Sequence, residues 1–447
     1  MKLELILVAV AIAGCTKNSN YCPGANPDNN CAEIDAPGPA IDAPPTGCGS
    51  DGDCSGATAV CDTGTRACVA CTAGEPGACT GAAPVCKQDA CAPCSSHNDC
   101  SSNACLPDGS CGTDSNVAYV DPGGTDNTSC TKATPCTKVA KALATAKLFL
   151  KFHGTTNEQV SINNQNVTVL ADVGAQLTSS SNGILVEIKG TSQVSINDLE
   201  ITGASGGTGY GISMPTGNTA TVNLTRTKLT NNNAGGISEN GGTLAIAQST
   251  VSGNAAGGIL ASVGSVLSVT RSTISGNTAG GISVGGQFSI VNNFFFGNGS
   301  GSSVVGAVYI FATQNAANRL DFNSFNKNST QDGLGSAIQC TAGTFTARNN
   351  IMSGNGTLTD MNQTGGTCTH AYSIATPGTL PTGTGNFALD PQFVNTTTGD
   401  LHIPAGSPAI DAADPAAVLT GLEAVDIDGD ARPQGVHADI GADEHKP

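Results

Sequence analysis

The sequence predicts an all-β fold: a parallel β-helix solenoid with a capping helix at its N-terminal end and a small disulfide-rich module before it. Three observations carry that reading. The first is a repeat. Leu229-Thr-Asn-Asn-Asn-Ala-Gly-Gly-Ile237, Val251-Ser-Gly-Asn-Ala-Ala-Gly-Gly-Ile259 and Ile274-Ser-Gly-Asn-Thr-Ala-Gly-Gly-Ile282 share one plan and start 22 and 23 residues apart. A fixed period in the low twenties marks a solenoid, whose units stack because none buries its apolar face alone. The second is alternation. Leu244 and Ile246, Leu267 and Val269, and Phe288 and Ile290 alternate with small or polar residues. Period two is a strand with one buried face. The third is the cysteine spacing in front of the repeats, taken up below.

Within each repeat, Val251, Ile274 and Phe295 supply a second short strand three residues before Asn254, Asn277 and Asn298. Gly-Asn or Gly-Gly turns follow, where positive φ costs little. Two or three short strands per coil of about 22 residues describe a parallel β-helix. The register continues through Leu320, Phe325 and Asn328, and through Met352 and Asn355. Upstream it takes in Val194, Ile196, Leu199 and Ile201. Roughly ten coils between about 155 and 385, at about 4.8 Å each, give a rod on the order of 50 Å long. The Asn column 232, 254, 277, 298, 328 and 355, and a second through Asn293, Asn323 and Asn350 with Ser249 and Ser272, are expected to be stacked amides that satisfy turn backbone. Residues 137–147 are the one helical window, with Val139, Leu143 and Ala146 on one face.

Residues 1–14 read as a secretory signal: a Lys, an apolar run too short to span a bilayer, then small residues. Residues 15–47, rich in Pro, Asn, Ala and Asp, cannot pack a core and read as a tether. Of the 19 Cys, 18 remain once Cys15 is set aside, an even number suited to an oxidising compartment. Twelve form three units over residues 48–112: Cys48, Cys54, Cys61 and Cys68; Cys71, Cys79, Cys86 and Cys91; Cys94, Cys100, Cys105 and Cys111. Cys68-x-x-Cys71 and Cys91-x-x-Cys94 have zinc-knuckle spacing. No His stands at ligand spacing, so disulfides are the expectation, with connectivity inside each unit open. The remaining six fall into local pairs: Cys22 with Cys31, Cys130 with Cys136, and Cys340 with Cys368.

A formal charge of −17 argues against nucleic acid, and against direct capture of acidic polysaccharides without a bridging cation. Candidate chemistry is sparse. Asp426-x-Asp428-x-Asp430 suits calcium, the one cofactor considered; the competing reading is a turn whose carboxylates accept backbone N–H groups and pair with Arg432. Asp332 and Asp360 are the catalytic candidates, on successive coils, with Lys327 or Arg348 as the base a lyase needs. Solvated loop-tip carboxylates are the plainer account of both. Tyr210 and Tyr309, with Phe311, are candidate sugar-stacking residues on longer coils, set against simple packing. Phe294, Phe295 and Phe296 read as packing, although alternation must put at least one outside. None of the six His has a partner at a recognisable motif spacing.

Resemblances extend this reading. Ile12-Ala-Gly-Cys15 resembles the bacterial lipobox, which implies lipidation of Cys15 and an outer-membrane anchor. Tyr119-Val-Asp-Pro-Gly-Gly-Thr-Asp126, Cys130 and Pro135-Cys-Thr-Lys-Val-Ala-Lys-Ala-Leu-Ala-Thr-Ala146 resemble the entry segment of bacterial pectate-lyase-like β-helix proteins. Asn386-Phe-Ala-Leu-Asp-Pro-Gln-Phe-Val394, Gly399-Asp-Leu-His-Ile403, Gly406-Ser-Pro-Ala-Ile-Asp411, Asp426-Ile-Asp-Gly-Asp-Ala-Arg-Pro433 and Asp439-Ile-Gly-Ala-Asp-Glu444 look like the choice-of-anchor Q domain. The two together imply a right-handed helix over 117–385 and a choice-of-anchor Q-like segment over 386–447. No sorting signal is read in His445-Lys-Pro447, so the N-terminal lipid is expected to anchor the chain. The Cys units are similar to repeats appended to bacterial surface lipoproteins. The expected function is that of a monomeric, lipid-anchored envelope protein, non-catalytic, for adhesion or glycan binding. A polysaccharide lyase or glycoside hydrolase is the alternative, and a purely structural envelope role the third reading.

Overall fold

The computed structural model describes residues 47–447 apart from 312–314, 316, 342–344, 357–363 and 367. The signal segment, Cys15, the Cys22 and Cys31 pair, the tether up to residue 46, and Asp360 all lie outside the described residues.

Each coil carries three strands, and the stacked strands form three parallel sheets. In the order the chain visits them, sheet I has 11 strands, sheet II has 10 and sheet III has 9. Register is kept coil after coil: Val222, Leu244, Leu267 and Phe288 follow one another in a single inward column of sheet I. Alternation holds as predicted, and those four side chains are fully buried. Eleven strands about 4.8 Å apart give a rod of about 50 Å.

Two-residue corners join sheet I to sheet II. The first corner residue is left-handed, as in Gln248 (φ 52), Arg271 (φ 50), Asn292 (φ 58), Phe322 (φ 54) and Asn349 (φ 55). Such conformations are unfavourable for non-glycine residues and need support. The second corner residue gives it by turning its side chain inward. Ser249, Ser272, Asn293, Asn323 and Asn350 each accept the backbone N–H of the preceding coil's counterpart. The corner into sheet III repeats the device with Gly253, Gly276 and Gly297 before the Asn column. Asn254 Nδ2 donates to Asn277 Oδ1 at 2.8 Å and to Leu229 O at 3.1 Å, and Asn277 repeats this with Asn298 and Val251. Both columns are therefore structural ladders, as the sequence indicated. In a solvent-free corner, one amide satisfies groups that water cannot reach.

The N-terminal end is closed by the strand Val117–Val120, which pairs in parallel with Phe149–Phe152. The Cys130–Cys136 disulfide and a helix over Val139–Ala144 complete the closure. The helix buries Val139, Ala142 and Leu143. Its first amides donate to the Glu158 carboxylate from the rod, which supplies the missing N-cap. Ala146 does not join that face: the helix has ended, and Ala146 is an exposed residue at φ 55.

All three four-Cys units adopt one connectivity, first to third and second to fourth: Cys48–Cys61 with Cys54–Cys68, Cys71–Cys86 with Cys79–Cys91, and Cys94–Cys105 with Cys100–Cys111. Cys340–Cys368 staples neighbouring coils across a separation of 28. The third unit docks on the rod through His97 Nε2 to Ala171 O (3.2 Å) and Tyr119 Oη to Ser102 O (2.7 Å).

From Asn386 the chain leaves the rod. Asn386 is the last rung of the ladder at the corner between sheets I and II, accepting the N–H of Ser373. The tail then folds back along the corner between sheets I and II. Its apolar residues Phe393, Leu401, Ile403 and Ile440 share a core with Phe294, Phe322, Ile351 and Ile374 of the rod. Phe295 points into the rod, while Phe294 and Phe296 point outward and the tail covers them, Phe296 against Gly399. Arg432 is buried over the Phe322 ring, 4.6 Å from its centroid, and pairs with Glu444 at 3.1 Å.

Candidate functional site

The tail leaves a cleft where it crosses the outward face of sheet I. In the strand Arg319–Asp321, Leu320 points into the core, so Arg319 and Asp321 point out. On the next coil Ala347 is buried and Arg348 stands opposite Asp321. Tail carboxylates meet these cations: Glu423 Oε1 lies 2.5 Å from Arg319 Nη1, and Asp414 Oδ2 lies 3.2 Å from Arg348 Nη1. Asn292 Nδ2 donates to the carbonyls of Leu422 and Val425, both at 2.7 Å, and so holds this part of the tail on the rod. The resulting cleft has a volume of 840 Å³. Phe345 lines it, edge-on to Phe288 at 5.5 Å, together with Asn315, Asn318 and Thr346.

Charge in the cleft is layered. The carboxylates sit deep, with Glu423 at 5 % exposure and Asp321 at 8 %. The guanidiniums of Arg319 and Arg348 are about half exposed, at 53 % and 46 %. Burial, reinforced by Glu423, pushes the Asp321 carboxyl up to about 7, against the pull of the Arg348 N–H and both guanidiniums. A half-buried aromatic, side-chain amides and guanidinium donors around one open cleft are groups that bind hydroxyl-rich ligands. Asp321 also titrates in the range useful to a general acid or base.

The tail carries a second polar cluster. His402 Nδ1 lies 2.5 Å from Asp400 Oδ1, and its Nε2 lies 3.0 Å from Asp428 Oδ2. Burial alone would lower the His402 pKa, but Asp400, Asp443 and Asp428 outweigh it and hold the ring above its ordinary value. The ring packs edge-on to Phe294 at 5.0 Å, tying the cluster to the rod.

Asp426, Asp428 and Asp430 do converge, with one oxygen of each within 4.8 Å of the others. The bonding is that of a turn. Asp426 Oδ1 accepts the N–H groups of Asp428 (3.0 Å), Gly429 (2.8 Å) and Asp430 (2.7 Å), and its Oδ2 accepts that of Glu444 (3.0 Å). Asp430 pairs with Lys446 at 2.7 Å, and Arg432 pairs with Glu444 instead of the loop. Asp332 is exposed on the loop between sheets II and III, away from Arg348 on sheet I. Lys327 is a left-handed corner residue whose ammonium lies 5.6 Å from the centre of the Phe296 ring. Tyr210 and Tyr309 are both half-buried on sheet III, but four coils apart, so no one pocket holds both. Tyr210 leans on Gly235 of the next coil, and Tyr309 packs against Phe311 at 5.8 Å.

The cleft residues Arg319, Asp321 and Glu423 escaped the sequence reading, although a signal existed. On earlier coils the Arg319 and Asp321 register positions hold Ser268 and Thr270, then Ser289 and Val291. Two charges at outward positions otherwise small mark a departure from the repeat. His402 was likewise missed as a partnered histidine, and its signal is Asp400-x-His402.

No family profile matches this chain, and no curated protein sequence matches it. Among solved structures it is similar to the pectate lyase Pel9A, with 14 % identity, a TM-score of 0.47, and 74 % of this chain and 96 % of that one covered.

Proposed function

We propose that this protein is a lipid-anchored bacterial envelope protein that binds glycans through the cleft over sheet I without cleaving them. The observation that carries the reading is the cleft itself: Phe345 beside Asn315, Thr346 and two half-exposed guanidiniums whose charges are already matched by Glu423 and Asp414. Matched charge leaves recognition to hydroxyl hydrogen bonds and ring stacking. Anchoring rests on Ile12-Ala-Gly-Cys15, and surface display on the choice-of-anchor Q-like motifs of residues 386–447. The disulfide-rich units suit an oxidising compartment.

The test is a glycan-array screen of the purified protein, with and without calcium, compared with Phe345→Ala and Arg319→Ala. Retention that both variants lose supports the reading; retention that neither variant changes refutes the cleft as the binding site. A second reading is a polysaccharide lyase or glycoside hydrolase, favoured by the Asp321 carboxyl near neutrality beside Arg348. Unsaturated or reducing ends released by the protein, and lost in Asp321→Asn, would establish it.

A further inference from the structure

Sheet I carries a second depression, at the opposite end of the rod from the cleft. It has a volume of 450 Å³ and spans the first coils, lined by Leu148, Phe149, Asn166, Gln193, Thr221 and Asn223, among others. Its lining contains no charged side chain. Phe149 is half-buried, while Asn166, Gln193 and Asn223 are exposed. The corner columns use their amides fully inside the protein. Here, among the described residues, the side chains of Asn166, Gln193 and Asn223 make no hydrogen bond to the protein. A polar sheet face in plain solvent would also look uncharged and unbonded, but it would not be hollowed out beside an aromatic ring.

We propose that this cavity is a second glycan subsite, and that it takes a distal stretch of the same neutral polysaccharide chain that the Phe345 cleft holds. The inference rests on the glycan-binding reading of the cleft and adds the class of ligand and its length. Neutrality follows from the lining. A uronate there would meet no cation and an amino sugar no carboxylate, so either would give up hydration without compensation. Unbonded amides, in contrast, donate and accept with sugar hydroxyls, and Phe149 offers an apolar edge. One chain reaches both sites because both lie on the same face. Between them the outward positions are small: Ala245, Ser268 and Ser289. From the strand Gln193–Asn197 to the strand Arg319–Asp321 is five coil steps, or about 24 Å. A chain spanning that distance engages the second site at high effective concentration.

The experiment measures binding of the purified full chain to linear neutral glycans, namely a β-glucan, a mannan and a galactan, each as disaccharide and as polymer. Polygalacturonate is the anionic control. Asn223→Asp and Gln193→Glu place a charge in the cavity at exposed positions, with circular dichroism to verify the fold. The expected result is a neutral polymer that binds at least about tenfold tighter than its disaccharide, with that gain lost in both variants and disaccharide binding unchanged. If disaccharides bind and depend on Phe345 while polymers gain nothing, this inference falls and the cleft reading stands. If no neutral glycan binds, both fall together.

Discussion

Glu239 occupies the least comfortable position in the rod. It sits in an inward column of sheet III between Met214 and Ala261, at 0 % exposure, and neither carboxyl oxygen has a hydrogen-bond partner. Burial pushes its pKa from 4.5 to about 9. The folded protein therefore holds a proton that the unfolded chain releases between pH 4.5 and about 9. The cost of this one group is absent below 4.5 and grows through that window by about 1.4 kcal/mol per pH unit. At pH 7 the cost is about 3 kcal/mol. Glu239→Met matches the neighbouring Met214 and removes the titration. Urea unfolding followed by circular dichroism should find the variant more stable at pH 7 by at least about 3 kcal/mol. The difference should widen toward pH 8 and shrink toward pH 4.5. Hydrogen exchange in the strands Gly235–Glu239 and Ile259–Ala261 localises the effect, since solenoids unfold in segments. A difference that does not change between pH 5 and 8 refutes the reasoning, because Glu239 would then be ionised and paired in the folded state.

Four further outcomes are expected. Asn277→Ala strands the N–H and Nδ2 groups of Asn254 and the Val251 carbonyl; it should cost about 3 kcal/mol in urea unfolding, whereas Asn223→Ala, on the open face, should cost under about 0.5 kcal/mol. Replacing Cys340 and Cys368 together by Ser should lower stability by about 3–4 kcal/mol, the chain-entropy value for that loop, read as a lower thermal midpoint. The carboxylates around His402 raise its pKa, so its contribution is present below its unfolded pKa of about 6.5 and lost as pH rises through the higher folded value; hydrogen-exchange protection factors of residues 399–403 and 426–430 should fall on the alkaline side, and His402→Gln should remove that fall. Phe345→Ala should weaken glycan binding by about tenfold, measured by calorimetric titration on protein whose fold is verified by circular dichroism, since the ring also packs edge-on against the buried Phe288.

The repeat made much of the fold legible. Its period places Val251, Ile274 and Phe295 in one column and Asn254, Asn277 and Asn298 in the next, and both columns are there. The disulfide module was legible as a module, but its pairing was not, because spacing alone permits several connectivities in each unit. The cleft was hidden for a different reason. Arg319 and Glu423 are 104 residues apart, and only the fold-back of the tail brings them together. Asp332, conspicuous in the sequence as a loop carboxylate, lies exposed on its loop, while Asp321 and Glu239 gained their character chiefly from burial.

The sequence by itself therefore determined what repeats: strand register, the amide ladders, the left-handed corner positions and the oxidised cysteines. Register and ladders are set by contacts between a residue and its counterpart one period away, and the cysteines of the N-terminal module pair within each unit. The tertiary structure alone decided where the tail lies on the rod, which carboxylate meets which guanidinium, and which polar groups lose their water. These depend on contacts between segments with no common period, and on a local dielectric that exists only once the chain has folded.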